Sequence, residues 1–171
     1  MTAPVFIPFM GAVIGMKQMP KNAAAEARVG LAGPVIGSLA CLVPLGLYAA
    51  TGNNLFRALA FTGFFINLFN LLPVVPLDGG RIVAALHPVL WLFGFLALLA
   101  IVFYPPNPIL IIILIFSGTE LWRRWQMRRH PEMQEYYKVE PHQRLIIGLL
   151  YFGLAVLLVF GMHETHVPRD F

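Results

Sequence analysis

The chain has 171 residues, of which 58% are apolar and 12% are charged. Its mean hydropathy of +0.75 is far above that of an ordinary soluble domain, so the composition predicts a membrane protein. Twelve Lys and Arg residues outnumber eight Asp and Glu residues, which favours contact with anionic lipid. No aromatic or groove-reading motif supports nucleic acid as a partner. The single cysteine, Cys41, cannot form an internal disulfide and is interpreted as a packing residue.

The N-terminal region, residues 1–28, holds no segment long enough to cross a bilayer. Its stretch PVFIPFMGAVIGM at 4–16 contains two prolines and two glycines and is shorter than the roughly 20 residues that a spanning helix needs. This pattern predicts a re-entrant or strand-like segment, and an isolated interfacial strand is the alternative. The charged beginning and the cleavage site of a secretory signal are absent from it.

Five apolar segments approach or meet the length of about 20 residues that crosses a hydrocarbon core as a helix. They are 29–50, 55–77, 82–104, 108–122 and 145–162. The fourth is short and has Glu120 near its end, so we expect local thinning of the bilayer or partial insertion. We therefore predict an all-α polytopic membrane protein with about five transmembrane helices, folded as a single membrane domain over 1–171.

The positive residues predict the orientation of these spans, because Lys and Arg accumulate in short cytoplasmic connections. With a cytoplasmic N-terminus, all of them except Arg57 and Arg169 fall on the cytoplasmic face. The longest polar stretch, 123–144, is then a cytoplasmic loop. It is interpreted as an interfacial helix interrupted by Pro131 and Pro141 that fixes orientation, with a regulatory or partner-binding role as the alternative.

The stretch NLLPVVPLDGG at 70–80 predicts a backbone break near the cytoplasmic face of the membrane. Pro73 and Pro76 lack a backbone donor, and Gly79 and Gly80 favour a bend. At that depth the freed backbone groups cannot face lipid. They must be satisfied by protein, by water or by a ligand that lines a cavity.

Asp78 follows the break, and two explanations for this carboxylate stay open. It could cap the next helix, where an acidic side chain accepts backbone donors. It could instead be an intramembrane ionisable group whose desolvation is offset by a cation or a partner. Asn70 lies eight residues upstream in an apolar segment, which indicates that the segment faces protein or a polar cavity.

These residues also carry a resemblance to a known family. The run Asn70-x-x-Pro73-x-x-Pro76-Leu77-Asp78-Gly79-Gly80-Arg81 resembles the second signature of the site-2 protease family, the intramembrane zinc metalloproteases. Two further stretches are similar in order and approximate spacing. PFMGAVIGMK at 8–17 resembles the segment after the first catalytic helix of the family, and AGPVIG at 32–37 resembles its Gly-Pro helix. QRLIIGLLYFGLAVLL at 143–158 is similar to bacterial members.

The resemblance implies that Asp78 is the third protein ligand of a catalytic zinc, beside two histidines of a His-Glu-x-x-His helix whose glutamate is the general base. Three ligands leave the fourth tetrahedral position for water. Asn70 is implied as a catalytic residue that polarises the peptide carbonyl or binds the substrate backbone. Phe9, Met10 and Gly11, together with Asn70 and Pro73, are the expected substrate-binding residues, because strand addition can hold an unwound substrate.

The sequence departs from the family pattern because His-Glu-x-x-His is absent. Two histidines must lie four residues apart to reach one metal from one helix face. HETH at 163–166 has a spacing of three and is interpreted as a polar tail. His87 is interpreted as an imidazole bonded to the backbone. Glu120 is interpreted as a residue at the cytoplasmic end of its span, beside Arg123 and Arg124.

Three explanations for the missing motif stay open: a reading frame opened at an internal methionine, a truncated fragment, or a pseudoprotease that keeps the substrate-binding half. A smaller departure is Gly37, where many family members have an asparagine. Because one carboxylate cannot replace two imidazoles, we expect the chain by itself to be inactive.

The expected function is therefore that of a site-2 protease-like zinc metalloprotease that cleaves transmembrane segments of membrane-bound regulators. The alternative is a non-catalytic pseudoprotease or membrane scaffold that binds transmembrane helices. A small transporter ranks last, since only one broken segment is present. The expected cofactor is zinc, the expected partners are a transmembrane protein substrate and the lipid bilayer, and the expected location is a bacterial plasma membrane with a cytoplasmic N-terminus. The sequence determines neither the substrate nor the oligomeric state.

Overall fold

The computed structural model describes residues 5–7, 11–13, 20–87, 89–103, 107–127 and 129–166, the first two of these ranges as backbone only. Strand β1 (Val5–Ile7) pairs antiparallel with β2 (Gly11–Val13), so that Phe6 lies opposite Ala12. Of the predicted substrate-binding residues in this region, Gly11 opens β2. Phe9 and Met10 lie outside the described residues, and the re-entrant passage stays a prediction.

Helices make up most of the described chain. They are α1 (Ala23–Thr51), α2 (Asn54–Asn70), α3 (Asp78–Leu86), α4 (Val89–Val102), α5 (Pro108–Met127), α6 (Pro131–Tyr136) and α7 (Pro141–Thr165). The first begins before the predicted boundary at residue 29, and α5 continues past the predicted end at residue 122. The predicted bounds mark the ends of apolar stretches. Each helix continues into polar residues beyond them, so the length of an apolar stretch does not locate the end of a helix.

The predicted span 82–104 is wrong as a single helix, because α3 ends at Leu86 and α4 begins at Val89. His87 between them has φ −162° and ψ 131°, which is extended backbone. A residue that precedes proline is disfavoured in the helical region, and position 88 is proline. The backbone N–H of Val89 donates to Nδ1 of His87 at 3.2 Å, so the imidazole is bonded to the backbone as expected.

Short polar signals set the ends of the first two helices. The side chain of Asn22 accepts a hydrogen bond from the backbone N–H of Ala25 at 2.9 Å and caps α1. That helix ends at Gly52, whose φ of 67° is the left-handed conformation that favours glycine. Asn53 follows and caps α2 through the N–H of Leu55. This two-residue connection makes α1 and α2 packed neighbours.

Two helices of the described chain, α1 and α7, are long and apolar enough to cross a membrane, and α4 is a shorter apolar helix. Large apolar side chains of α7 point away from the protein, and Leu149, Val156 and Phe160 are 66%, 70% and 64% exposed. Such a surface is stable against lipid and not against water. The structure and composition thus indicate a membrane protein, and the arrangement with five spans stays a prediction.

The centre of the fold is formed by α1, α2, α3 and α7. Helix α1 packs on α2 and α3, and α7 packs on α2. Ile82 of α3 and Leu158 of α7 are completely buried, and Phe64 of α2 is 2% exposed against Gly161 of α7. In the segment 71–77, which joins α2 to α3, Leu71 and Val74 are buried, whereas Pro76 is exposed.

The hydroxyl of Tyr151 on α7 donates to the backbone carbonyl of Leu71 at 2.7 Å, and Tyr151 is 7% exposed. We expect Tyr151→Phe to lower the free energy of unfolding by about 1 to 3 kcal/mol, because a buried carbonyl loses this donor. Thermal unfolding in detergent measures the change. Tyr48→Phe is the control, since no hydrogen bond joins the Tyr48 hydroxyl to another described residue; an equal loss in both variants would contradict the assignment.

Candidate functional site

The predicted backbone break is confirmed between α2 and α3. Over 71–77 the chain makes turns, with the N–H of Val74 donating to the carbonyl of Leu72 at 2.7 Å and the N–H of Leu77 donating to that of Val74 at 2.9 Å. The peptide bond between Val75 and Pro76 is cis. The break thus satisfies part of its backbone by local turns and part through Tyr151.

Glycines let this break fold back against α3. A Cβ atom at Gly79 would collide with the carbonyl of Leu71, and one at Gly80 would lie 2.6 Å from the carbonyl carbon of Val74. Gly94 of α4 approaches the carbonyl of Pro73 just as closely. The Gly79-Gly80 pair of the motif is therefore required by the close approach of backbone to backbone.

Asp78 is the first residue of α3, and its side chain is half-buried. The N-cap position belongs to Leu77, which makes no side-chain capping bond. No hydrogen bond joins the Asp78 carboxylate to another described residue, although Arg81 on the next turn attracts it electrostatically. A capping hydrogen bond is therefore not found among the described residues, although Asp78 lies in the first turn of α3, where the helix dipole favours an acidic side chain. The carboxylate keeps its acceptor sites free of described protein donors.

The Gly-Pro helix and the Leu-Asp-Gly segment meet at this carboxylate. A Cβ atom at Gly33 of α1 would lie 3.0 Å from Oδ2 of Asp78, and one at Gly30 would lie 3.0 Å from the Asp78 carbonyl oxygen. Gly33 is exposed, whereas Gly30 is buried. The carboxylate thus lies over the edge of α1 at a place where the absence of a side chain leaves room for it.

Asn67 is a polar residue of this region that the sequence analysis missed. Its Nδ2 donates to the carbonyl of Gly63 at 2.8 Å and lies 3.9 Å from Sγ of Cys41. A Cβ atom at Gly37 would collide with the Asn67 side chain. Gly37, noted as a departure from the family pattern, therefore provides the space that Asn67 fills. The sequence feature that could have identified Asn67 is an amide side chain within an apolar segment.

The other predicted site residues are placed as follows. Asn70 is the last residue of α2, and no hydrogen bond joins its half-buried side chain to another described residue. Pro73 is half-buried in the break beside Gly94. Gly11 is described as backbone only, so the structure does not test whether the N-terminal strands reach Asp78.

The described residues do not form a complete metal site. In the ranges that the structure covers, no group of three or more His, Cys, Asp or Glu side chains could hold a metal ion. Asp78 is thus a single potential ligand. The HETH tail is at the other end of the bundle, where the carbonyl of His166 accepts a hydrogen bond from Arg57 near the start of α2.

The tight contact between α1 and α2 generates a test. We expect Gly37→Ala to destabilise the protein by about 1 to 3 kcal/mol, because the new methyl group competes with Asn67 for one space. Gly46→Ala on the same helix is the control, since nothing lies within 4 Å of the position of its Cβ atom. Thermal unfolding of both variants in detergent gives the difference. Equal stabilities would show that Asn67 does not depend on Gly37.

Comparisons with known proteins agree with the motif. The family model described as Peptidase family M50 matches residues 48–91, which is about a quarter of the chain. The match covers α2, the break, α3 and the beginning of α4, and so includes Asn67, Asn70 and Asp78. Neither the curated proteins nor the solved structures gave a match. The match over residues 48–91 therefore confirms, at family level, the resemblance to peptidase family M50, the site-2 proteases.

Proposed function

We propose that this chain is the Asp78-bearing portion of a site-2 protease-like intramembrane metalloprotease that cleaves transmembrane proteins. One observation carries the proposal: the Asp78 carboxylate directly follows the broken segment, faces Gly33, and lacks a hydrogen bond to the described residues. The match to Peptidase family M50 covers the same segment and supports a metallopeptidase function.

The physical basis is the cost of holding a carboxylate in partly apolar surroundings. Asp78 is half-buried, α1 presents glycines at its contact with α3, and Arg81 attracts the carboxylate electrostatically. A carboxylate without hydrogen-bond donors is poorly compensated for lost water. Coordination of a divalent cation such as zinc supplies that compensation, and Asp78 is an oxygen ligand of the type that zinc accepts.

One ligand is too few for a catalytic zinc site, which normally has three protein ligands. We propose that the two further ligands and the general base come from a His-Glu-x-x-His segment that this sequence does not contain. The chain by itself is then inactive. Its own contribution is Asp78 together with the surface that binds the substrate.

Residues on the substrate side of the proposal are Asn70 and Pro73 in and beside the break, and Phe9, Met10 and Gly11 in the N-terminal region. The free amide of Asn70 can bind the peptide carbonyl or backbone of an unwound substrate. Backbone pairing with β2 would hold that substrate extended. Five membrane spans with a cytoplasmic N-terminus, in a bacterial plasma membrane, complete the proposal.

Zinc content tests the proposed ligand. The chain is expressed with the in-frame sequence that precedes Met1, and bound zinc is measured by elemental analysis after dialysis. We expect about one zinc per extended chain and far less in this chain alone. Asp78→Ala in the extended chain is expected to weaken zinc binding by tenfold or more. A side chain that binds the metal directly matters at least as much as the groups that orient such ligands, whose loss costs about 10 to 100-fold.

Glu135→Ala is the matched control for this experiment. Its side chain is 78% exposed and pairs with Lys138 at 3.8 Å, so zinc content should not change. Full zinc retention by Asp78→Ala would contradict the assignment of Asp78. An upstream sequence without His-Glu-x-x-His would contradict the proposed source of the other ligands.

The absence of His-Glu-x-x-His from the sequence also favours a second candidate, a non-catalytic pseudoprotease or membrane scaffold. Such a protein binds transmembrane helices without cleaving them. It would hold little zinc, and Asp78→Ala would leave partner binding unchanged. The zinc measurement therefore separates the two candidates.

A further inference from the structure

A buried arginine connects the polar end of α5 to the α3 segment that begins with Asp78. Arg124 has a side chain only 14% exposed, and its Cζ atom lies 4.3 Å from the centroid of the Trp91 ring. Its Nε is 2.7 Å from Oε1 of Glu120, and its Nη1 donates to the hydroxyl of Tyr137 at 3.1 Å. Glu26 of α1 lies at 3.8 Å from Nη2. The guanidinium thus stacks on an aromatic ring while each of its three nitrogens has a carboxylate or hydroxyl neighbour.

Trp91 contacts both Arg124 and α3. The indole is 6% exposed, with Arg124 over its ring and Tyr137 packed edge-on at 5.8 Å. Its Nε1 donates to the carbonyl of Gly80 at 2.7 Å. Gly80 is two residues after Asp78 and contacts the backbone of the break. The position of the indole is therefore linked directly to the first turn of α3.

A second connection reaches the same turn through α1. The hydroxyl of Tyr136 on α6 donates to Oε2 of Glu26 at 2.7 Å. Burial, and then this bond to a carboxylate, raises the pKa of Tyr136. Glu26 lies one turn before Gly30, which contacts the Asp78 carbonyl. Arg124 pairs with Glu26 and stacks on Trp91, so it takes part in both connections.

We propose that Arg124, acting through the indole of Trp91, is a positioning residue that holds the 78–80 turn of α3 in place. The orientation of a ligand by groups behind it is a general need of metal sites. The contribution of this positioning to function rests on the proposed role of Asp78. The contacts that join Arg124 to the 78–80 turn through Trp91 do not depend on that role.

Arginine is the residue that this arrangement requires. A planar guanidinium stacks on an indole while its edges pair with carboxylates, whereas the ammonium of lysine is a compact point charge. Arg123 supplies a natural comparison on the neighbouring position. It also pairs with Glu120, through Nη2 to Oε2 at 2.7 Å, but its side chain is 64% exposed, and no ring contact with Trp91 is found for it in the described chain.

Hydrogen exchange measured by mass spectrometry on this chain in lipid nanodiscs tests the link. Trp91→Phe keeps an aromatic ring but removes the donor to Gly80, and Arg124→Gln removes the stacked cation. For both variants we expect amides in peptides covering 78–86 to exchange about tenfold faster, as loss of one hydrogen bond or charged contact implies. Peptides covering 145–162 of α7 should exchange as in the unchanged chain.

Two further variants make the result specific. Arg123→Gln is the matched control and should exchange like the unchanged chain over 78–86. Arg124→Lys keeps the charge and loses the planar group. We therefore expect its amides over 78–86 to exchange as fast as those of Arg124→Gln. Exchange that accelerates equally in α7 would overturn the proposal by showing general destabilisation. Unchanged exchange in Trp91→Phe, equal effects of Arg123→Gln and Arg124→Gln, or full protection in Arg124→Lys would each overturn it as well.

The exchange measurement needs neither zinc nor proteolysis, so its outcome is independent of the proposed function. A zinc result that contradicts Asp78 as a ligand would leave the link between Arg124 and α3 standing. Local exchange that does not respond to Trp91→Phe would remove the link and leave the zinc assignment of Asp78 untouched.

Discussion

A broken helix in an apolar chain must find partners for its backbone polar groups within the protein, and the rest of this structure depends on that constraint. The break at 71–77 meets it with local turns and with a donor from α7. Tyr151 of α7 donates to the carbonyl of Leu71, while Trp91 of α4 donates to the carbonyl of Gly80 in the first turn of α3. The packing of α7 near the break is thus also the solution to a hydrogen-bonding problem.

Glycines make this solution possible by allowing backbones and polar side chains to approach closely. Gly79 and Gly94 permit backbone contact around the break, while Gly33 and Gly37 of α1 leave space for Asp78 and Asn67. Gly30, Gly33 and Gly37 of α1 lie along one side that faces α2 and α3. Two polar side chains, Asp78 and Asn67, therefore lie beside apolar helices, where polar groups need partners within the protein.

Charge in the described core is concentrated at one end of the bundle. Glu120 pairs with both Arg123 and Arg124, and Arg124 also approaches Glu26. Two carboxylates and two guanidinium groups balance there, which limits the cost of burying Arg124. Because Arg124 also contacts Trp91, the polar end is joined to the segment that carries Asp78. The charged end of the bundle and the first turn of α3 are in this way physically connected.

The sequence by itself determined the features that follow from local chemistry. Prolines and glycines located the break, and the apolar content and the motif around Asp78 indicated a membrane protein similar to site-2 proteases. The pairing of Glu120 with Arg123 and Arg124 could also have been predicted, because residues three and four apart on a helix are neighbours. The division between α3 and α4 could have been predicted from the proline after His87, yet the apolar run hid it.

Only the tertiary structure decided which distant groups meet. Tyr151 bonds to a carbonyl 80 residues away, and Tyr136 reaches Glu26 across 110 residues. The contact of Asn67 with Gly37 and the stacking of Arg124 on Trp91 are equally non-local. Hydrophobic period and turn propensity describe neighbours along the chain, whereas these contacts arise when helices pack in three dimensions.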